Sequence, residues 1–265
     1  MAVFAKDFTF NNIALSSFSA EYCLVDFDDE DNSTALSRSF QQSSITNDNS
    51  VVYFYDAIGS ALLEFDITIC RKDDKDLTPA NAKELSDWLM GEHIPRVAYF
   101  TSCDDEHAVY DDTDFIGGFT QSSYTQRGTT QKMGMTFHFQ NISPYGFTKE
   151  VSVTTSEGTV TLENTGSRTG ELIWPTITIN PTAAGKVHIN NLSDPSVGSF
   201  IINMKSDTPV IIEDRNVFTA NGELYSFDNL DNFNWPALVD GENEILIYGA
   251  ATVTITARFY KNLGV

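Results

Sequence analysis

The sequence predicts a mainly β protein: an N-terminal β-barrel or β-sandwich domain with one α-helix, followed by a C-terminal β-sandwich. Three observations lead there. Thr, Ser, Phe and Tyr are plentiful, whereas long Leu/Ala/Glu/Lys-rich stretches are scarce, a balance that favours strands. Short apolar runs alternate with polar residues along the chain and are separated by Gly, Pro, Asn and Asp. One stretch near residue 80 combines helical spacing with signals for both helix ends. With 265 residues, 41% hydrophobic and 12% aromatic, the chain has enough apolar matter to build real cores, so wholesale disorder is excluded.

Residues 8–27 read as strands, with Phe8, Phe10, Phe18 and Tyr22 among small and polar residues and CLVDF (23–27) as a short apolar run. Residues 28–50 hold few large apolar residues in no firm period and are expected to form a long loop or projecting arm. VVYFY (51–55) and ALLEFDITI (61–69), separated by a turn at Gly59, are expected to be adjacent strands. A helix is expected over 79–90. Thr78 is an N-cap, and Pro79 stands at the first helical position, where its missing N–H costs nothing. Ala82, Leu85, Trp88 and Leu89 recur at helical spacing, and Gly91 and Pro95 supply the stop. Strands return at 96–100, between Tyr110 and Phe119, and at 133–139, where Met133, Met135, Phe137 and Phe139 alternate with Gly, Thr and His.

NISPYGF (141–147) breaks this regularity and places a domain boundary between 1–145 and 146–265. The second part reads as a series of short strands. VSVTTSEGTVTL is expected to be a hairpin over Glu157-Gly158. ELIWPTITI, GKVHINN and SFIINM alternate; VIIEDRNVF and ELYSF flank the turn signal Asn221-Gly222, and NEILIYG follows Asp240-Gly241. The final ATVTITARFY alternates Val253, Ile255, Ala257 and Phe259. Evenly spaced short strands with turn chemistry between them predict a β-sandwich.

The net charge of −21, from 16 basic and 37 acidic residues, argues against partners with phosphate backbones or anionic lipid surfaces, and no Lys/Arg cluster is present. The three cysteines, Cys23, Cys70 and Cys103, form no C-x-x-C pair; buried free thiols of a protein made in a reducing cytoplasm are expected, with one bridge among them as the alternative. Lys6 and Asp7 interrupt the N-terminal stretch, so no signal peptide is expected, and no apolar run reaches the roughly 20 residues of a membrane span.

No catalytic or metal-binding pattern stands out. His93, His107, His138 and His188 lack ligand spacing, and His138, in the middle of Phe-His-Phe, is expected on the strand face opposite the core. The acidic clusters at 26–31, 104–106 and 111–114 lack the ligand order of a calcium loop and read as solvated charge. Neither a catalytic residue, a cofactor nor a metal is therefore expected. Trp174 and Trp235 each precede a proline and are the candidate carbohydrate contacts, against the plainer reading that both are packing residues.

The segment Phe233-Asn234-Trp235-Pro236-Ala237-Leu238-Val239-Asp240-Gly241-Glu242-Asn243-Glu244-Ile245 resembles the F-x-W-P-x-L-x-x-G-x-N-x-I stretch near the end of phage distal tail proteins. The final strand, with Arg258-Phe259-Tyr260-Lys261, ends as in that family. Asn164-Thr165-Gly166, Pro175-Thr176-Ile177-Thr178-Ile179 and Gly185-Lys186-Val187-His188-Ile189 are similar to its N-x-G, P-x-I-x-I and G-x-V-x-I succession. Phe8-Thr9-Phe10-Asn11-Asn12 and Ser143-Pro144-Tyr145 match more loosely. The resemblance covers nearly the whole chain and is most specific in the C-terminal third.

It implies a tail-tube-like N-terminal domain, a galectin-like C-terminal sandwich and a structural, non-enzymatic role. Six copies would close a homohexameric ring at the virion tail tip, with residues 28–50 as the arm that clasps a neighbour. The ring would join the tail-tube protein to the tail-tip apparatus, a tail-associated lysin or receptor-binding protein. DNA would pass through the channel without specific binding, and no membrane is involved. Other readings are a carbohydrate-binding module or adhesin built on the C-terminal sandwich, a wall-degrading hydrolase for which no motif can be nominated, and a tail-tube subunit.

Overall fold

Period-two alternation of apolar residues sets the architecture of the first half. The computed structural model describes residues 5–25, 41–44, 52–55, 62–91, 93–102, 111–127, 131–167, 170 and 172–262. The chain divides into two units, one ending at Gly146 and the other spanning Phe147–Asn262. The first contains β1 (Ala5–Phe10), β2 (Ile13–Ala14), α1 (Leu15–Phe18), β3 (Tyr22–Val25), β4 (Gln41–Ser44), β5 (Val52–Tyr55), β6 (Glu64–Arg71), α2 (Pro79–Met90), β7 (Arg96–Ser102), β8 (Thr113–Arg127) and β9 (Gln131–Asn141).

Its main sheet runs β2-β1-β7-β8-β9-β6-β3, antiparallel throughout, and curls into a half-barrel. Phe65, Ile67 and Ile69 of β6 stand opposite Phe139, Phe137 and Met135 of β9, and all six are buried. Phe8, Phe10, Phe100, Phe115 and Phe119 complete an aromatic core on the same face, with Phe65 stacked on Phe139 at 4.8 Å. Each such side chain contributes about 1.5–3 kcal/mol when removed from water. The β8–β9 crossing requires Gly117, because a Cβ there would lie 2.0 Å from the Gln140 carbonyl oxygen.

Helix α2 covers this core with Ala82, Leu85 and Leu89. Its start is a capping box: the Asn81 N–H donates to Thr78 Oγ1 at 3.2 Å, and the Thr78 N–H donates to Asn81 Oδ1 at 3.1 Å. Gly91 ends the helix in a right-handed conformation, so its role is not that of a left-handed cap. Trp88 stacks on Phe18 at 4.4 Å and on Phe8 at 5.4 Å.

Three features of this unit differ from the sequence reading. β5 pairs with β4 in a separate two-stranded sheet, rather than with the strand after Gly59. The Gln-Gln-Ser-Ser sequence of β4 has no apolar alternation and so gave no strand signal. Of the candidate arm 28–50, only β4 is described; the rest lies outside the described residues. A second, single-turn helix, α1, buries Leu15 and is too short to leave a periodic trace.

The second unit holds β10 (Gly146–Thr148), β11 (Val151–Thr155), β12 (Gly158–Asn164), β13 (Thr176–Pro181), β14 (Gly185–Asn191), β15 (Phe200–Met204), β16 (Val210–Glu213), β17 (Asn216–Thr219), β18 (Gly241–Tyr248), β19 (Ala251–Ala257) and β20 (Tyr260–Lys261). Two antiparallel sheets, β11-β19-β13-β16-β17 and β12-β18-β14-β15, enclose a core of Ile177, Ile179, Val187, Ile189, Phe200, Ile202, Ile245, Ile247, Val253, Ile255 and Phe259. The protein is thus mainly β, with a β-sandwich as its second unit.

Here too the strands were legible and some pairings were not. β11 and β12 are not hairpin partners: β11 pairs with β19 and β12 with β18, so the chain crosses between sheets at Glu157-Gly158. Period-two alternation is the same whether the next strand lies beside the last or across the core from it. VIIEDRNVF is two strands, β16 and β17, turning at Asp214 and Arg215 with φ of 46° and 61°. Two consecutive positive φ values are the conformation of a type I′ turn, here without the usual Asn-Gly. Beyond Asn221-Gly222 only a single bridge, Phe218 to Leu224, returns to β17.

Candidate functional site

The residues that carry the family resemblance converge on a buried amide clamp. Asn243, fully buried on β18, uses its whole carboxamide. Its Oδ1 accepts from the Val239 N–H and from Asn191 Nδ2, both at 2.8 Å. Its Nδ2 donates to the carbonyls of Val239 at 2.9 Å and Gly241 at 3.0 Å. Asn191 Nδ2 also donates to the Ala237 carbonyl at 2.8 Å, and Asn164 Nδ2 to Val239 at 3.2 Å. Three strands thereby hold the irregular 233–241 segment by side-chain amides, which supply the partners that its backbone lacks in a ladder. Asn164 Oδ1 takes the Gly166 N–H at 2.9 Å, and a Cβ at Gly166 would sit 2.8 Å from the Tyr260 carbonyl oxygen. The N-x-G pair is therefore a packing requirement. The roles of Asn191 and Asn243 were missed in the sequence; the G-x-N spacing of Gly241 and Asn243 was the signal for the second, and Asn191 had none.

Asn141 does similar work in the Ser143-Pro144-Tyr145 stretch. It accepts from the Ile116 N–H at 2.7 Å and donates to the carbonyls of Ser143 at 2.9 Å and Tyr145 at 2.7 Å.

The first unit's sheet presents a polar face opposite its aromatic core. Glu64, Asp66, Thr68 and Cys70 of β6 stand beside Gln140, His138, Thr136 and Gly134 of β9. His138 Nδ1 lies 2.7 Å from Asp66 Oδ1, and His138 Nε2 lies 3.5 Å from Glu64 Oε2. Gln140 donates to Glu64 at 2.7 Å, and the hydroxyls of Thr68 and Thr136 are 2.9 Å apart. Gln121 and Ser123 of β8 continue the rows of His138 and Thr136. The whole is a hydrophilic, carboxylate-bearing sheet surface.

The two tryptophans have different surroundings. Trp174 is 36% exposed, with the Arg215 guanidinium 5.1 Å from its ring centre, a cation–π contact. Trp235 is half-buried and stacks on Phe200 at 5.3 Å. Its other neighbour is Phe233, 61% exposed at 6.3 Å, which in turn lies 6.2 Å from the exposed Phe227. Beside this aromatic row, Asp231 accepts from Lys186 and from Asn203, the latter at 2.9 Å; the Lys186 hydrogen bond holds its carboxyl below the usual range. The structure does not bring Trp174 and Trp235 onto a common ring contact.

Among the described residues no three His, Cys, Asp or Glu converge as a metal site. His93 is exposed and His188 lies on β14, whereas His107 and the acidic clusters at 26–31 and 104–106 lie outside the described residues. Asp111 accepts from the Ser102 N–H at 2.7 Å and from its hydroxyl at 2.5 Å, which makes it a local cap. No helix among the described residues is long and apolar enough to cross a membrane.

Comparison with known proteins agrees with this architecture. No curated protein sequence matches the chain. The crystal structure of the phage SPP1 Dit protein, titled a paradigm of the hub adsorption apparatus in phages infecting Gram-positive hosts, superposes with a TM-score of 0.59 at 14% identity, covering 96% of this chain and 98% of that one. A chain of the phage p2 baseplate in its activated conformation with Sr gives a TM-score of 0.50 at 8% identity, covering 97% and 98%. The fold is therefore that of a Dit protein. Residues 4–143 match the model of a phage tail protein N-terminal domain, and residues 145–257 that of a phage tail C-terminal domain. With both of its units matched in sequence, the chain belongs to this family of phage tail proteins.

Proposed function

We propose that the chain is a distal tail subunit, a structural hub without catalytic function, six copies of which close into a ring at the tail tip. The observation that carries this is the likeness to the SPP1 Dit protein along both units, which leaves almost nothing of either chain unmatched. The ring would sit between the tail-tube protein and a tail-associated lysin or receptor-binding protein. A closed ring uses heterologous contacts, one face of each subunit against a different face of the next. Residues 28–50 are the candidate clasp, 1–145 the ring-forming domain and 146–265 the galectin-like outer sandwich.

The polar face of β6, β8 and β9 is the candidate channel lining. Glu64 and Asp66 there, multiplied around the ring of a chain with charge −21, would repel passing DNA and keep it from adhering. Gold-labelled antibody against the chain, applied to purified virions, is expected at the tail end away from the capsid. Label along the whole tail would instead identify a tube subunit.

A second reading, in which the sandwich contacts a glycan, is favoured by the row of exposed Phe227 and Phe233 and half-buried Trp235, since aromatic faces stack well on sugar rings. Trp174 is less suited, because Arg215 occupies its ring. Binding of cell-wall polysaccharide that Phe233→Ala or Trp235→Ala abolishes would support this reading; binding untouched by both would remove it.

A further inference from the structure

The structure assigns a covalent cross-link site to Cys23 and Cys70: we propose that the two close into an intramolecular disulfide when the protein meets a small-molecule disulfide oxidant. In the β3–β6 register Cys23 stands directly opposite Cys70. Directly opposed residues of an antiparallel pair put their side chains on one face, with Cα atoms about 4.5–5.5 Å apart. A disulfide accepts Cα separations of about 4.4–6.8 Å, so the Cα spacing of such a pair is within reach, and a small approach of the two strands brings the Cβ atoms to bridging distance. Both cysteines are free, and the Cys23 thiol donates to the Cys70 carbonyl at 3.8 Å.

Gly134, opposite Cys70 on β9, supplies the remaining space. A Cβ there would lie 2.5 Å from Cys70 Sγ, so in the reduced form that sulfur leans over the glycine. Rotation about χ1 between staggered wells carries it toward Cys23. Cys70 is buried and Cys23 half-buried, so the oxidant meets Cys23 first.

The Cys23 thiolate attacks the small disulfide and forms a mixed disulfide, releasing one thiol. The Cys70 thiolate then attacks the Cys23 sulfur and releases the second. Two protein thiols are oxidised, one small disulfide is reduced to two thiols, and the two protons pass from the protein to those thiols. Burial raises both thiols, Cys70 to about 11, with the neighbouring Cys23 adding to the rise. Thiolate is therefore scarce near neutrality, and closure is slow there and faster in alkali. A tail protein is made in a reducing cytoplasm and works outside it. The bridge would close the loop from 24 to 69 and fasten β3, the strand that leads into residues 26–40, to β6.

The test uses the full chain, reduced, desalted and incubated with oxidised glutathione at about pH 9.5, where the thiolate fraction of these raised thiols is far larger than near neutrality. Thiol titration and non-reducing peptide mapping read the result. The thiol count is expected to fall from three to one, with the Cys23 and Cys70 peptides joined, and Cys103→Ser is expected to leave the same joined pair. A urea-unfolded sample shows that the oxidant is active. Persistent glutathione adducts on Cys23, links through Cys103, or three unreacted thiols in the folded chain while the unfolded chain oxidises would each overturn the proposal.

Discussion

Replacing Asn243 by Ala should destabilise the second unit more than its small volume change suggests. The substitution removes four hydrogen bonds of 2.8–3.0 Å from a site with no solvent access. Two of the partners retain another bond: Asn191 Nδ2 keeps the Ala237 carbonyl, and the Val239 carbonyl keeps Asn164. The Val239 N–H and the Gly241 carbonyl lose these partners. Val239 is half-buried and Gly241 exposed, so water can reach part of what is lost; at about 0.5–1.5 kcal/mol net for each of the four bonds, a total of about 3 kcal/mol is expected, or a fall in Tm of roughly 10–20 °C for a unit of this size. Asn232→Ala is the comparison: it removes two part-buried bonds, one to the Ser199 carbonyl, which keeps Asn234 Nδ2, and one from the Asn234 N–H, and should cost about 1 kcal/mol. Urea titration read by hydrogen–deuterium exchange with mass spectrometry separates peptides of the two units. The 233–241 peptide should exchange faster in the Asn243 variant even without urea. A loss below about 1 kcal/mol, or exchange unchanged in that peptide, would refute the clamp as the organiser of the segment.

Three further outcomes follow from the first unit. Trp88 Nε1 is buried with no acceptor among the described residues, so Trp88→Phe, which removes that N–H and keeps the stack on Phe18 and Phe8, should change stability by about 1 kcal/mol or less; Trp88→Ala should cost about 3–5 kcal/mol in the same urea titration. Burial holds the Cys70 thiol protonated up to about 11 against an ordinary value of 9.0, so above about pH 9 the unfolded chain loses this proton before the folded one does. Stability should be fully present below that pH and decline as pH rises toward 11, by an amount of the order of 2 kcal/mol, and Cys70→Ala should flatten the decline in urea midpoint. In an assembled particle, Glu64→Gln with Asp66→Asn should slow DNA ejection followed by dye fluorescence; an unchanged rate would remove these carboxylates from the channel lining.

How much of this was legible depended on whether the information was local. Helix α2 was, because Thr78, Pro79 and the spacing of Ala82, Leu85 and Leu89 act within a dozen residues. So was the strand character of Met135–Phe139, whose alternation separates Phe137 and Phe139 from His138. Partner choice was not, since β11 and β12 carry the same period-two signal as a hairpin and yet join different sheets. The β16–β17 turn was hidden because Asp214-Arg215 adopts positive φ without a glycine. The Asn191–Asn243 contact joins residues 52 positions apart, and only the fold brings the two amides together. Trp174 and Trp235 looked equivalent beside their prolines, but one meets a guanidinium and the other a phenylalanine of the core.

The most direct measurement is the mass of the purified protein by light scattering, with negative-stain microscopy of the same sample. Particles of six times the chain mass, seen as rings with a central hole, are expected of a distal tail hub. Open-ended tubes, or a mass that stays at one chain across the accessible concentration range, would contradict it.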